Sequence, residues 1–222
     1  MGFPTPDTRH ISKPEYASVY EPAEDTYLLL DALENDRTEI QNQQPTICVE
    51  IGAGSGCVTA FLGQLLDPLM SLIISTDINP AAVNATIETV ARNPSPAVFF
   101  QCRTRFLQSL DSRLQGKIDI LMFNPPYVVT PTMEIDSTDE ASAWAGGKNG
   151  REVLDKLLPQ IPQLLSPGGR FYLVVIEQNK PDDIIQALSA HGISGERKLS
   201  RKAGREHLSI LRFISDKKIA TV

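Results

Sequence analysis

The sequence predicts an α/β fold, a mostly parallel sheet with helices on both faces. Short apolar runs alternate with stretches of helical spacing along nearly the whole chain, which is the rhythm of β-α-β units. The first of these runs leads into a turn carrying Gly52, Gly54 and Gly56 just ahead of a helix, the place where an open parallel sheet lets a ligand approach the backbone. No linker or internal repeat divides the chain, and 222 residues of which 41% are apolar suit one well-filled core.

Residues 1–20, rich in proline and polar groups, are expected as an extended or loosely packed N-terminal arm, residues 21–215 as one domain and 216–222 as a C-terminal tail. Tyr27, Leu28, Leu30 and Leu33 recur at helical spacing behind Pro22 and predict a helix over 24–35. A strand follows at 46–51 and a helix at 57–66. The next pair is a strand at 72–76 and a helix at 80–92, opened by Pro80 at its first position. Apolar runs at 97–102, 118–123 and 170–176 predict further strands. A helix over about 150–165 is expected to stop at Ser166-Pro167-Gly168-Gly169. After a helix near 181–191, the runs 193–199 and 207–213 predict a closing antiparallel pair.

A net charge of −6 argues against a large nucleic-acid footprint, which needs a basic face to neutralise phosphates. Protein or small-molecule partners are expected instead. Cys48, Cys57 and Cys102 lie in apolar surroundings without C-x-x-C spacing, and His10, His191 and His207 form no cluster. Reduced, buried thiols and no structural metal are therefore expected. The N-terminus has no apolar signal region, no apolar stretch reaches membrane length, and Pro6 stands where a myristoylation motif needs Ser or Thr. An intracellular, soluble protein is expected.

In "CVEIGAGSG" the acid Glu50 precedes the three glycines and a helix N-terminus follows, which favours negative charge. A dinucleotide fingerprint would need its third glycine where this chain has Cys57. The pattern here, acid-x-Gly-x-Gly-x-Gly, resembles the first motif of class I S-adenosylmethionine-dependent methyltransferases. Glu50 fits that resemblance, because a carboxylate repels a pyrophosphate and attracts a sulfonium or ammonium. "STDINP" places Asp77 at the end of the second strand, as far beyond the glycine loop as a ribose-binding acid should be. Capping of the helix at Pro80 is its other reading.

"FNPPY" ends a buried strand. Pro125 disfavours helical geometry at Asn124, and Pro126 does the same to Pro125, so the loop is stiff. Neither proline has an N–H, so the backbone offers carbonyl acceptors and the Asn124 side chain adds another. Such a surface suits a planar NH₂ group, held by Asn124 and the Pro125 carbonyl, with Tyr127 stacked on the acceptor's flat π system. A rigid turn without chemistry is the bland alternative.

"YEPAEDTYLLLDAL", "EIGAGSG", "TDINP", "FNPPYVV", "AWAGGKNGRE" and "RKAGREHLSILRF" together resemble the HemK-like glutamine methyltransferases, in particular the eukaryotic branch that methylates the Gly-Gly-Gln glutamine of translation release factor. The likeness spans residues 20–213. It implies a seven-stranded, mostly parallel Rossmann-like methyltransferase sheet of order 3-2-1-4-5-7-6 with the last strand antiparallel. It implies Thr26, Glu50, Gly52, Gly54, Asp77, Ile78, Arg105, Phe106 and Asn124 around the donor, S-adenosylmethionine, and Asn124, Pro125, Pro126 and Tyr127 around the acceptor. It further implies a heterodimer with a small zinc-binding activator protein that covers an apolar edge strand, and a cytoplasmic protein with the nucleus as a second compartment. "AVFFQC" would be that edge, with Phe99 and Phe100 on opposite faces; burial of both rings under helices stays open. One departure is Arg105, where the family usually has an acid near the adenine amino group, since a guanidinium accepts no hydrogen bond.

The acidic stretch 130–150, with Trp144, is expected to grip substrate, although Trp144 as a core anchor is equally compatible. Rival chemistries are methylation of protein lysine or DNA adenine, a nicotinamide-dependent oxidoreductase, and a catalytically silent binding module. The basic groove that adenine needs, and the glycine spacing that a nicotinamide needs, are both missing.

Overall fold

The computed structural model describes residues 2–127 and 148–216. Seven strands, β1 (Ile47–Ile51), β2 (Leu72–Asp77), β3 (Val98–Arg103), β4 (Ile118–Phe123), β5 (Leu165–Ile176), β6 (Ile193–Ala203) and β7 (Glu206–Ser215), form one sheet of order β3-β2-β1-β4-β5-β7-β6. Neighbours pair in parallel from β3 to β5, and β7 runs antiparallel to both β5 and β6. The strand order reverses between β1 and β4, so the loops after these two strands face each other across the crevice where open sheets bind ligands.

The central strands read as unbroken apolar runs because both faces are covered. Along β4, Ile120 and Met122 join a core with Leu29 and Leu33 of α1 (Glu24–Asn35) and Phe61 of α3 (Cys57–Leu65). Leu121 and Phe123 alternate into the opposite core, with Leu154 of α6 (Glu152–Leu157) and Ile184 of α8 (Pro181–Ser189). The start of α2 (Arg37–Gln43) is tied to the sheet by Asp36, which accepts from the Tyr172 hydroxyl at 2.8 Å and pairs with Arg212 at 2.8 Å and Lys198 at 2.5 Å. Burial alone would raise the Asp36 carboxyl, but these partners together hold it below the ordinary carboxylate range. α1 is thereby fixed to β5, β6 and β7.

Four expectations are corrected. The helix over 150–165 is broken into α6, a 3₁₀ turn at Leu158–Gln160 and α7 (Ile161–Leu164), with Pro159 and Pro162 at the joints. Ser166-Pro167-Gly168-Gly169 lies inside β5: pairing jumps from Ile118↔Leu165 to Ile120↔Arg170, so these residues bulge out of the ladder, with Gly168 at φ +72°. The single turn α5 (Asp111–Leu114) and helix α2 add elements too short to show a period. Within residues 2–20, two 3₁₀ turns at Arg9–Ser12 and Pro14–Tyr16 pack Ile11, Tyr16 and Val19 on Ala82 and Ala85 of α4 (Pro80–Arg92), so the arm is docked rather than extended.

On the edge strand β3 the two phenylalanines part company. Phe99 lies under α3 against Gly63, where an added Cβ would meet its ring at 2.6 Å, while Phe100 is 48% exposed and Val98 54% exposed. Burial of both rings, the alternative left open above, is excluded. Stretch 130–150, including Trp144, and the tail 216–222 fall outside the described residues except at 148–150 and 216. Among the described residues no helix is long and apolar enough to cross a membrane, and no group of His, Cys, Asp or Glu is placed to hold a metal ion.

Candidate active site

The strand ends at the switch point deliver four loops to one cavity of about 400 Å³, a size typical of small-molecule sites. After β1, Gly52, Gly54 and Gly56 take φ of +66°, +53° and +75° and turn the chain into α3. Gly56 also sits so close to α4 that a Cβ would meet Thr86 Cα at 2.7 Å. After β2, Asp77 accepts the Gly54 N–H at 3.0 Å and the Asn79 N–H at 2.9 Å, joining the glycine loop to the next turn. The cap of α4 is Asn79, whose side chain accepts from Ala81 N–H, so the capping reading of Asp77 falls away.

After β3 comes Phe106, which adopts φ +49°, a left-handed conformation costly for a bulky side chain, and packs edge-on to Phe123 at 6.4 Å. Arg105 and the half-exposed Ile78 line the same wall. After β4, Asn124, Pro125, Pro126 and Tyr127 close the opposite side. Thr26, in the first turn of α1, completes the lining, its hydroxyl accepting the Ala23 N–H at 3.4 Å. The structure thus brings together Thr26, Glu50, Gly52, Gly54, Asp77, Ile78, Arg105, Phe106 and the four residues Asn124 to Tyr127.

On its donor side the cavity holds two carboxyls, Glu50 and Asp77, pushed toward neutrality. Burial drives Glu50 up to about 8, against a hydrogen bond from Thr59 that lowers it, and repulsion from Asp77 adds to the rise. Burial also raises Asp77, although three backbone N–H groups oppose the shift. A cation entering here would favour the ionised form of Glu50.

Sequence reasoning missed three groups. Asp25 lies at the start of α1 and accepts from Asn124 Nδ2 at 2.8 Å and from the Tyr127 hydroxyl at 3.1 Å. Glu206, at the start of β7, lines the same end, and burial and then the Asp25 charge raise its carboxyl. Asn179 holds the far end of the N-P-P-Y loop: its Nδ2 donates to the carbonyls of Tyr127 and Asn149, each at 3.0 Å, and its Oδ1 accepts the Ile176 N–H. Gly150 fits beside it at φ +64°, where any Cβ would collide with the Tyr127 carbonyl. Asp25 and Glu206 stood as unexplained acids within the quoted motifs, while Asn179, outside them, gave no signal.

No family model matches the chain. It is 47% identical over 213 residues to Methyltransferase HEMK2 of Mus musculus, spanning 95% of this chain and 96% of that one. It is 41% identical over 220 residues to the eRF1 methyltransferase catalytic subunit mtq2 of Schizosaccharomyces pombe, spanning 94% of each. Among solved structures it resembles the Mtq2-Trm112 complex of E. cuniculi, described as responsible for methylation of the eRF1 translation termination factor. That likeness has 27% identity and a TM-score of 0.63 over 89% of this chain and 99% of that one. The sheet order, the glycine loop and the relatives define a class I methyltransferase. Within that class, the chain belongs to the HemK-like methyltransferase family.

Proposed function

We propose that the chain transfers a methyl group from S-adenosylmethionine to the side-chain amide nitrogen of the Gly-Gly-Gln glutamine in eukaryotic translation release factor. One observation carries the acceptor chemistry: Asn124 Oδ1 is buried in the wall of the cavity and has no donor among the described residues. A buried acceptor left unpaired costs about 1–3 kcal/mol, which a substrate N–H recovers. A primary amide supplies two such protons on one planar nitrogen, one for Asn124 Oδ1 and one for the Pro125 carbonyl.

The donor half fits the same reading. Glu50 offers a buried carboxylate to a cationic ligand and Asp77 has lone pairs left for ribose hydroxyls, while Phe106 and Ile78 offer apolar surface to a flat base. Bound there, S-adenosylmethionine supplies a methyl group activated by its sulfonium. Asn124 and Pro125 orient the amide nitrogen, Tyr127 covers its π face, and the prolines exclude competing backbone donors. Holding the nitrogen in line supplies much of the rate, because an amide lone pair is a poor nucleophile.

The exposed Val98 and Phe100 on the edge of the sheet support a small partner docked at β3, for which a zinc-binding protein is our reading; the E. cuniculi relative was itself solved as a complex with Trm112. Incubation of the chain and its partner with isotopically labelled donor and a Gly-Gly-Gln peptide, read by fragment mass spectrometry, should place the label on the glutamine side chain. Label on lysine or on DNA adenine, with none on the peptide, overturns the assignment.

A further inference from the structure

Asp25 is 2% exposed, yet both of its oxygens are engaged. Oδ1 accepts the Thr26 N–H at 2.8 Å and the Tyr20 hydroxyl at 3.3 Å; Oδ2 accepts Asn124 Nδ2 at 2.8 Å and the Tyr127 hydroxyl at 3.1 Å. A carboxylate only accepts, so Oδ2 fixes which end of the Asn124 amide faces it: the NH₂, not the carbonyl. Asn124 Oδ1 is thereby turned away from Asp25 and left as a buried acceptor of the cavity with no donor among the described residues.

We propose that Asp25 is a positioning residue for methyl transfer, locking Asn124 in the orientation that presents a carbonyl oxygen to the acceptor NH₂. The proposal rests on the glutamine reading above. In the flipped orientation Asn124 would set its own NH₂ against the NH₂ of the substrate, donor against donor, and the acceptor nitrogen would lose the contact that aims it. Because Tyr127 donates to the same oxygen, one carboxylate sets both the amide and the ring across the acceptor site. Its own place is fixed by the first turn of α1, where it takes up a backbone N–H that has no partner within the helix.

The test is steady-state methylation of a Gly-Gly-Gln peptide by the full chain with its partner, together with calorimetric binding of S-adenosylmethionine. Asp25→Asn offers Asn124 a donor as well as an acceptor and so releases the orientation. Turnover should fall at least about tenfold while donor affinity stays within about twofold, the signature of lost transition-state positioning. Added to Asn124→Ala, Asp25→Asn should cost clearly less than it does alone, since its action through Asn124 is already lost and only its contact with the Tyr127 hydroxyl remains. Should Asp25→Asn not fold, Asp25→Ser carries the same measurement. Wild-type turnover in the variant, losses that multiply in the double variant, or failure of both variants to fold and bind donor would overturn the proposal and leave Asp25 a structural residue. A wild-type chain inactive on the peptide but able to bind donor would overturn the glutamine reading and the proposal with it.

Discussion

At Asn124 the chemistry comes down to one oxygen and one nitrogen of a single side chain. Asn124→Ala removes the unpaired acceptor and should lower turnover on a Gly-Gly-Gln peptide by about a hundredfold or more, in line with the loss of one preorganised polar contact. Its unfolding temperature should stay near wild type, because a strand-end residue adds little to the core. Turnover equal to wild type would reduce Asn124 to a turn residue. Asp77→Ala should act in the opposite compartment of the site. It removes the acceptor shared by the Gly54 and Asn79 N–H groups, and should weaken donor binding by about 1.5–3 kcal/mol with little effect on peptide affinity. Calorimetric donor binding unchanged in that variant would remove Asp77 from the donor site.

Among the elements, β3 carries the next prediction. Phe100 and Val98 are half-exposed on an edge strand whose other face is closed by Phe99 under α3. Phe100→Asp should weaken association with the small partner at least about tenfold, as expected for losing an apolar contact at the centre of an interface. Donor binding by the chain itself should persist. Co-purification in wild-type yield would place the partner elsewhere. The central strands β1, β2, β4 and β5 were legible in sequence because burial on both faces writes them as continuous apolar runs bounded by glycine, proline and aspartate. The bulge in β5 was not, since Ser-Pro-Gly-Gly reads equally as a helix stop and as an excursion from a ladder. The docked arm was hidden for a related reason: Ile11, Tyr16 and Val19 follow no period, and only the surface of α4 makes them a core. For the site, the glycine loop, Asp77 and the N-P-P-Y loop announced themselves by local spacing. Asp25 could not, because its partner Asn124 lies 99 residues away and an acid in the first turn of a helix already has a local explanation.

For the molecule as a whole, the buried acids couple ligand binding to pH. The Glu50 carboxyl is raised from 4.5 to about 8, so the folded chain holds this proton more tightly than the unfolded chain does. The resulting stability is fully present below the lower value and is lost as pH rises to the upper one. Asp77 and Glu206 shift in the same direction. The unfolding temperature without donor should therefore fall across that window, Glu50→Gln should reduce the slope, and binding of a cationic donor near neutral pH should release a proton. Calorimetry in two buffers of different ionisation enthalpy reads that proton, and a buffer-independent heat would contradict the coupling. The hub at Asn179 has a different consequence, one of leverage. Its Nδ2 gathers the carbonyls of Tyr127 and Asn149 to one point while its Oδ1 is held by the Ile176 N–H at the end of β5. A single side chain just past the sheet thus carries the position of β5 into the end of the N-P-P-Y loop, so the acceptor site takes its place from the sheet's own register.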